Sequence, residues 1–353
     1  MIQENIQTLI EGVNLSPQNS RLAMQEIMSG QATNAQIGAF LTALRMKGET
    51  VEELVAFAEV MRENCLRIHP NVQGRLVDTC GTGGDKLKTF NVSTATAFVV
   101  AGTGLSVAKH GNSSVTSKSG SADVLERLGV NLTISPEAVR ESIEHVGIGF
   151  MFAPAFHPAM KYAVAPRKEM GVRTVFNVLG PLTNPACANA QVLGVYDTAL
   201  TEPLACALKK LGCAEAMVVY GVDGLDEIST IGKTTISHLK DSNAETFNVS
   251  PEDFGVKHAR IQDLLAATPE ENANVLFEIL HENTQKANPK TDIVLVNSAA
   301  AIVVGGRADS LKEGMDVARE SIRSGAAYKK LEALVKSSGG DLSKLEEIKS
   351  RHV

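Results

Sequence analysis

The first 70 residues carry apolar positions at a helical period, separated by residues that begin and end helices. In the last of these segments the apolar residues recur three or four positions apart, at Leu54, Phe57, Ala58 and Met61. Ser16, Thr33 and Thr50 stand where helix N-caps are expected, and Gly30 and Gly48 stand where the preceding helices end. The pattern predicts an all-helical N-terminal domain of four short helices over residues 1–70.

The pattern changes after residue 70. Short runs rich in β-branched residues now end in glycine-containing turns, and helical periods follow them. Such runs occupy residues 76–79, 106–109, 191–195 and 216–220. Strands that alternate with helices predict a central, mostly parallel sheet flanked by helices, here a large α/β domain over residues 71–353. Ligands of such sheets bind at the carboxyl ends of the strands, and a cleft between two domains is a natural substrate site.

Composition and charge narrow the class of protein. Hydrophobic residues make up 44% and charged residues 21% of the 353 residues, which is typical of a soluble globular chain. The net charge of −6 offers no general attraction to nucleic acid, so we expect no such partner. Five cysteines without a CxxC pair indicate reduced thiols in the cytoplasm. Without a signal peptide or a long apolar run, we expect neither export nor a membrane partner.

The first strand end carries a glycine-rich turn, Gly81-Thr82-Gly83-Gly84-Asp85, followed by a helix that opens at Asn91-Val92-Ser93-Thr94. Glycines let backbone N–H groups turn toward an anion, and a helix start adds free N–H groups and partial positive charge. The arrangement indicates a phosphate site, although it fits neither a Walker A nor a dinucleotide motif. A tight turn followed by an ordinary Asn or Ser N-cap is the alternative.

The second strand end carries Lys109-His110-Gly111-Asn112, and residues 117–121 then lead into another helix. A lysine at a strand end, with hydroxyls and a helix start behind it, predicts a second anion site. Two anion sites indicate a ligand with more than one phosphate group. A polar surface loop is the alternative, and His110 alone would more often be a hydrogen-bonded structural histidine.

The third strand end carries two adjacent carboxylates, Asp226 and Glu227, in the turn after residue 221. Carboxylates that face a phosphate site suit Mg²⁺, which takes one or two of them and otherwise binds water and phosphate oxygens. An ordinary acidic turn is the alternative.

Arg167 follows a proline in a helical stretch ahead of a distinctive run over residues 175–185. A guanidinium can hold a substrate carboxylate through two hydrogen bonds. An exposed helical arginine is the alternative.

Taken together, these motifs resemble the anthranilate phosphoribosyltransferase family. The match covers nearly the whole chain and rests on residues 81–85, 91–94, 109–112, 177–185 and 223–227. The resemblance implies a homodimer with the fold of nucleoside phosphorylases and related phosphoribosyltransferases, in which residues of about 163–186 join the helical domain. It also implies a reaction that transfers the phosphoribosyl group of phosphoribosyl diphosphate to the amine of anthranilate. Diphosphate leaves with the help of Mg²⁺, and the product, N-(5-phosphoribosyl)anthranilate, belongs to tryptophan biosynthesis.

The resemblance also implies a role for each matching residue. Phosphoribosyl diphosphate would be held by Gly81, Gly84, Asp85, Thr89, Asn91, Ser93, Thr94, Lys109, Ser117 and Ser121. Anthranilate would contact Gly81, Asn112 and Arg167, with His110, His157 and Pro181 along its route. Mg²⁺ would be bound by Ser93, Asp226 and Glu227. Lys109 and His110 are supporting groups, and no general base is expected because an aryl amine is largely unprotonated at neutral pH.

One position departs from the family pattern, and two other functions compete with the transferase. Ser113 stands where the family usually has arginine, so the loop after Asn112 is expected to hold the donor less firmly. A pyrimidine nucleoside phosphorylase would share the fold, but the acidic pair and the 177–185 run argue against it. A non-catalytic relative that binds nucleic acid would be expected to show a basic surface, unlike this acidic chain.

Overall fold

The structure is a computed structural model that describes residues 1–83, 87, 89–113, 119–281 and 288–352. Within these ranges the N-terminal unit contains four helices: α1 (Ile2–Ile10), α2 (Pro17–Met28), α3 (Asn34–Lys47) and α4 (Val51–Glu63). The side chains of Ser16, Thr33 and Thr50 each accept a hydrogen bond from the backbone N–H three residues later. Such caps satisfy N–H groups that the first helical turn leaves unpaired. The four predicted helices and these three N-caps are confirmed.

The rest of the described chain is built around a seven-stranded sheet. Its strands are β1 (Leu76–Gly81), β2 (Ser106–Gly111), β3 (Ile148–Phe152), β4 (Ala190–Gly194), β5 (Glu215–Gly221), β6 (Thr234–Lys240) and β7 (Asn243–Val249). The order across the sheet is β3-β2-β1-β4-β5-β6-β7. The first five strands in that order are parallel, and β6 and β7 are antiparallel additions. The predicted fold class, a helical unit with a mostly parallel α/β sheet, is confirmed.

The described chain contains twelve further helices after α4, and some of them cover each face of this sheet. They are α5 (Val92–Gly102), α6 (Ser121–Arg127), α7 (Pro136–Val146), α8 (Ala153–Phe156), α9 (Lys161–Met170), α10 (Phe176–Leu182), α11 (Thr201–Lys210), α12 (Pro269–His281), α13 (Pro289–Val304), α14 (Leu311–Arg323), α15 (Ala326–Ser337) and α16 (Ser343–His352). Successive residues of a strand point to opposite faces. Accordingly, Met217 and Val219 of β5 join the core formed with α5 and α13, whereas Ala216 and Val218 join the core on the other face.

That second core includes the N-terminal helical unit. Ala163 of α9 and Leu179 of α10 are fully buried in the same apolar cluster as Phe40 of α3 and Phe57 of α4. The cluster also contains Leu193 of β4. The helical unit therefore packs on the sheet through one continuous apolar core to which α9 and α10 contribute.

Candidate active site

The carboxyl ends of the parallel strands meet at one edge of the sheet, and four of the described strands end there in glycine. These residues are Gly81, Gly111, Gly194 and Gly221. The loop that follows β5 crosses this edge. A Cβ atom on Gly81 would lie 2.6 Å from Asp226 Oδ2, and one on Gly194 would overlap the backbone oxygen of Asp226. Glycine at these two positions lets the acidic loop lie directly against β1 and β4.

The acidic loop has its own hydrogen bonds. Leu225 N donates to Asp223 Oδ1 at 3.1 Å, and Ser229 Oγ donates to the other oxygen of Asp223. Gly221 N donates to Leu225 O at 2.9 Å, which closes the turn directly after β5. Asp223 thus shapes the turn, and the Asp226 carboxylate lies against the end of β1. The negative charge of Glu227 acts on the buried Lys109.

The charged groups Lys109 and Asp78 lie beneath the site. The Lys109 side chain is 3% exposed, and its ammonium donates to Thr79 O at 2.5 Å and to Ser93 Oγ at 3.3 Å. Burial lowers the pKa of Lys109, while the negative charge of Asp78 opposes that change. The sequence predicts that Lys109 binds an anionic ligand, but these two hydrogen bonds go to protein oxygens. Lys109 therefore anchors β1 and the Ser93 hydroxyl from below.

Asp78 is completely buried beside this lysine. Asn184 Nδ2 donates to Asp78 Oδ2 at 2.7 Å and to Ala108 O at 2.8 Å, so it joins the carboxylate to β2. Burial raises the pKa of Asp78 to about 6, although the Lys109 charge and the Asn184 hydrogen bond act in the opposite direction. Neither Asp78 nor Asn184 is among the site residues predicted from the sequence. Both are polar residues in segments that otherwise supply core, which is the signal that marks them.

The start of α5 lies at this edge of the sheet, where the sequence predicts a phosphate site. Asn91 is the N-cap residue of α5, but its side chain makes no capping hydrogen bond to that helix. Instead Asn91 N donates to Asn272 Oδ1 at 2.9 Å, and Thr79 Oγ1 donates to Ser93 O at 2.9 Å. The Thr94 hydroxyl oxygen is buried and has no hydrogen-bond partner among the described residues. Neighbouring side chains therefore hold the backbone of Asn91 and both the backbone oxygen and the hydroxyl of Ser93, whereas the Thr94 hydroxyl has no described partner.

Thr89 lies just before this helix and forms an isolated bridge with Leu265. Asn112 is exposed at the end of β2; its backbone oxygen accepts from Ser121 Oγ at 3.4 Å and its Oδ1 from Ser113 N at 2.8 Å. These contacts bring Asn112 and Ser121 together. The predicted site residues Gly84, Asp85 and Ser117 lie outside the described residues.

His110 and His157 form a ring pair beside the strand edge. Their ring centroids are 5.0 Å apart at an interplanar angle of 46°. Burial lowers the pKa of His110 to about 3 and that of His157 to about 4, so both rings are neutral at neutral pH. Each ring is hydrogen-bonded to backbone, at Gly180 and Thr183 respectively. Each Nε2 atom is buried with no described partner.

Arg167 lies on α9 with its guanidinium carbon 5.2 Å from the centre of the Phe176 ring. The residue is only partly exposed, and burial lowers the pKa of its side chain. The alternative of a freely exposed helical arginine is therefore wrong. A cation that is partly removed from water and lies over a ring face is suited to bind a carboxylate.

The oxygen-bearing side chains at this edge are of the kind that binds Mg²⁺. Among residues 1–83, 87, 89–113, 119–281 and 288–352, no group of three His, Cys, Asp or Glu side chains could hold a metal alone. Mg²⁺ commonly takes one or two carboxylates and completes its shell with water and substrate phosphate. Asp226, Glu227 and the Ser93 hydroxyl carry hard oxygen atoms of the kind that such a partial set requires. The contact between Gly81 and the Asp226 carboxylate places one of them at the end of β1.

The fold and this edge define a two-domain glycosyl transferase. Residues 73–328 match the α/β domain of the glycosyl transferase family, and residues 3–65 match its helical bundle domain. The chain belongs, within that class, to the anthranilate phosphoribosyltransferase family, which confirms the resemblance seen in the motifs.

The relatives that show the family are similar over nearly their whole length. The chain is 51% identical over 343 residues to anthranilate phosphoribosyltransferase of Acetivibrio thermocellus, covering 97% of this chain and 98% of that protein. It is 52% identical over 340 residues to anthranilate phosphoribosyltransferase of Methanocorpusculum labreanum, covering 96% of this chain and 99% of that protein. The structure from Thermus thermophilus matches with a TM-score of 0.89 and 39% identity, covering 95% of this chain and 99% of that one. The structure of anthranilate phosphoribosyltransferase from Saccharomyces cerevisiae in complex with PRPP and Mg matches with a TM-score of 0.88 and 32% identity. That match covers 96% of this chain and 98% of the yeast chain.

Proposed function

We propose that the protein transfers the phosphoribosyl group of phosphoribosyl diphosphate to the amine of anthranilate. The products are N-(5-phosphoribosyl)anthranilate and diphosphate, as a step of tryptophan biosynthesis. The observation that carries the proposal is the approach of the acidic loop to Gly81 and Gly194, which brings the Asp226 carboxylate to the end of β1. Relatives named for this activity, and the yeast relative solved with PRPP and Mg, support it.

The donor is proposed to lie over the ends of β1 and β2 and the start of α5. Gly81, Thr89, Asn91, Ser93 and Thr94 would contact it. The remaining proposed contacts are Gly84, Asp85, Lys109, Ser117 and Ser121, by analogy with the family motif. Lys109 acts from below, because its ammonium holds the Ser93 hydroxyl. Ser93, Asp226 and Glu227 would hold Mg²⁺, which when bound neutralises charge on the diphosphate leaving group.

The acceptor is proposed to lie on the side of α9 and α10. The Arg167 guanidinium would bind the carboxylate of anthranilate, with Asn112 and Gly81 nearby and Pro181 along the route. His110 and His157 stay neutral, so they do not protonate the substrate amine. They also add no positive charge beside the oxocarbenium-like carbon. Their free Nε2 atoms would accept hydrogen bonds from that amine.

Catalysis then depends on position and charge more than on proton transfer. The anomeric carbon loses diphosphate through an oxocarbenium-like state, and the amine attacks that carbon. The nitrogen lone pair forms the new C–N bond, the C–O bond to diphosphate breaks with its electron pair, and one amine proton goes to solvent. Positioning of the amine by Arg167 and by the histidine pair supplies the effective concentration that the reaction requires.

A homodimer and a cytoplasmic location are part of the proposal. Several large apolar side chains on the helical unit and around α9 are more than half exposed: Ile10, Val13, Met46, Val164 and Val172. Such a set on one unit favours an interface with a second copy. No helix in the described part of the chain is long and apolar enough to cross a membrane. Light scattering on the purified chain should give twice the monomer mass, and Met46→Lys should shift it toward the monomer.

The division into domains is proposed as residues 1–70 with about 163–186, and the α/β remainder up to residue 353. The packing of Ala163 and Leu179 with the helices of the first unit supports it. In this arrangement the chain passes between the domains three times, near residues 70, 163 and 186, and the acceptor side is proposed to lie where the domains join.

Anthranilate fluorescence tests the function. We expect the signal to fall when the protein is mixed with anthranilate, phosphoribosyl diphosphate and Mg²⁺, and to stay constant when EDTA is present. Uridine with inorganic phosphate is the control for nucleoside phosphorylase activity, and single-stranded DNA is the control for nucleic-acid binding. Constant fluorescence with full substrate, or phosphorolysis of uridine, would contradict the proposal.

A further inference from the structure

A buried asparagine on α13 holds the residue that directly follows the acidic pair. Ile228 N donates to Asn297 Oδ1 at 2.9 Å, and Asn297 Nδ2 donates back to Ile228 O at 3.0 Å. The same amide nitrogen donates to Ile293 O at 2.8 Å, within the helix. Asn297 is 1% exposed and Ile228 is completely buried. One side-chain amide therefore satisfies both backbone polar groups of the residue next to Glu227.

The other flank of the acidic pair is fixed by steric contact. The Asp226 backbone passes so close to Gly194 that any side chain at position 194 would overlap it. Gly194 O in turn accepts from Thr82 N at 2.8 Å, which ties the end of β4 to the turn after β1. The chain over Asp226 and Glu227 thus runs from a close backbone contact to a reciprocal pair of hydrogen bonds.

Asparagine has the right chemistry for this place, and apolar side chains do not. Residues Ile293 to Val304 of α13 are all buried, so an unpaired polar group there carries a desolvation cost. The asparagine amide presents a donor and an acceptor side by side, as a peptide group does, and so matches Ile228 N and O together. Replacing it with an apolar residue leaves both backbone groups buried without partners.

We propose that Asn297 is a positioning residue for the metal carboxylates, which fixes Asp226 and Glu227 over the strand edge through the backbone of Ile228. The proposal rests on the proposed function, because it assumes that these carboxylates hold Mg²⁺. Groups that orient metal ligands without touching the metal commonly change affinity by about 10- to 100-fold when removed. Asn297 acts in this way although it belongs to a helix far along the chain from the acidic loop.

Binding of Mn²⁺, observed by electron paramagnetic resonance with phosphoribosyl diphosphate present, tests the proposal without measuring turnover. Asn297→Ala is expected to raise the dissociation constant for Mn²⁺ on the order of tenfold. The KM for anthranilate should change less than twofold. Asn297→Ser is a milder second variant should the alanine variant fail to fold. Gly194→Ala, which displaces the same segment from the opposite flank, should weaken Mn²⁺ binding as well.

Two matched controls separate positioning from loss of stability. Ser298→Ala changes the neighbouring buried position, whose hydroxyl has no hydrogen-bond partner among the described residues, and should leave Mn²⁺ affinity unchanged. Asn189→Ala removes an asparagine that accepts from Leu76 N at 2.8 Å at the opposite end of the sheet. It should lower the melting temperature without changing Mn²⁺ affinity.

The outcomes distinguish this inference from the proposed function. If the wild-type protein neither binds Mn²⁺ with the donor nor consumes anthranilate, the proposed function fails. If the wild type does both and Asn297→Ala keeps the Mn²⁺ affinity of Ser298→Ala, the positioning role is overturned. It is also overturned if Asn189→Ala loses as much Mn²⁺ affinity as Asn297→Ala at an equal loss of melting temperature.

Discussion

The donor side and the acceptor side of the strand edge are built in different ways. On the donor side, buried side chains bind the backbone that carries the functional groups: Asn272 holds Asn91, and Asn297 holds Ile228. On the acceptor side, His110 and His157 keep buried nitrogen atoms without described partners. A buried polar atom without a partner is unfavourable unless a ligand satisfies it.

We propose that this difference reflects the part of the reaction that each side serves. On this proposal the donor side holds a metal and several phosphate oxygens, and protein side chains hold its backbone before the ligand arrives, although the buried Thr94 hydroxyl there also has no described partner. The acceptor side leaves hydrogen-bonding capacity for a small aromatic acid. We therefore expect substitutions on the donor side to reduce kcat and metal binding, and substitutions on the acceptor side to change KM.

The largest effect should follow removal of both metal carboxylates. Asp226→Ala combined with Glu227→Ala should lower Mg²⁺-dependent turnover on the order of a thousandfold, because nothing then neutralises the leaving diphosphate. The rate of anthranilate consumption at saturating Mg²⁺ measures this loss. Asp316→Ala combined with Glu320→Ala removes two carboxylates from the exposed face of α14 and should keep full turnover. Near-normal turnover in the first variant, with its fold intact, would show that the metal assignment is wrong.

Arg167→Ala should have the next largest effect and should act on the other side. Loss of a charged hydrogen-bonding group for a carboxylate costs about 1.5 to 3 kcal/mol, which raises the KM for anthranilate roughly 10- to 100-fold. The KM for phosphoribosyl diphosphate should stay within twofold.

Arg173→Ala is the matched control for that variant. Arg173 also lies over a ring, 4.4 Å from the centre of Tyr196, so both variants lose a cation–π contact. Only Arg167 is proposed to meet the substrate. Equal KM changes in the two variants would place the role of Arg167 in stability alone.

Much of this architecture follows from the sequence. Helix caps at Ser16, Thr33 and Thr50 and the strand runs from residue 76 onward are local signals, and local signals predicted the fold class correctly. The β6–β7 hairpin was missed for a local reason as well. Its two turn residues, Asp241 and Ser242, have φ of 48° and 61° without a glycine, and most of β7 is exposed and lacks clear alternation.

The site could be predicted only where a motif lies at a strand end. Gly194 was missed although it ends a strand as Gly81 does, and that repeated position was the available signal. Asn297 and Asn184 meet their partners across separations of 69 and 106 residues, which no local pattern contains. The burial of Lys109 could not be predicted either, because its charge is balanced by Asp78, which lies on the neighbouring strand β1 and is 31 residues earlier in the chain.

A smaller effect is expected when the KM for anthranilate is measured as a function of pH, because the two histidines of the acceptor side are buried. The folded-state pKa values of about 3 for His110 and about 4 for His157 lie below the usual 6.5. The stability they contribute is therefore fully present above pH 6.5 and is lost as pH falls toward 4. The KM for anthranilate should stay within twofold between pH 5.5 and 8. A rise in that KM centred near pH 6.5 would show that one of the rings titrates normally.

The smallest effect is expected at Ser113, where the family usually has arginine. Ser113 N donates to Asn112 Oδ1 at 2.8 Å, so this position adjoins the strand end that is proposed to face both substrates. Ser113→Arg adds a cation near a polyanionic donor. It should lower the KM for phosphoribosyl diphosphate two- to fivefold, as about 0.5 to 1 kcal/mol of exposed charge attraction provides.

Salt and a neutral variant decide whether that gain comes from charge. Ser113→Gln extends the side chain without a charge and should leave the KM for phosphoribosyl diphosphate unchanged. The advantage of Ser113→Arg should shrink when ionic strength rises from about 0.05 M to about 0.5 M, since exposed charges are screened over shorter distances. That result would mean that the protein already sets the geometry of the donor side, and that an added surface charge changes only the attraction of the ligand. An equal gain in Ser113→Gln would instead assign the effect to contact area, and no gain in either would show that the position is not critical.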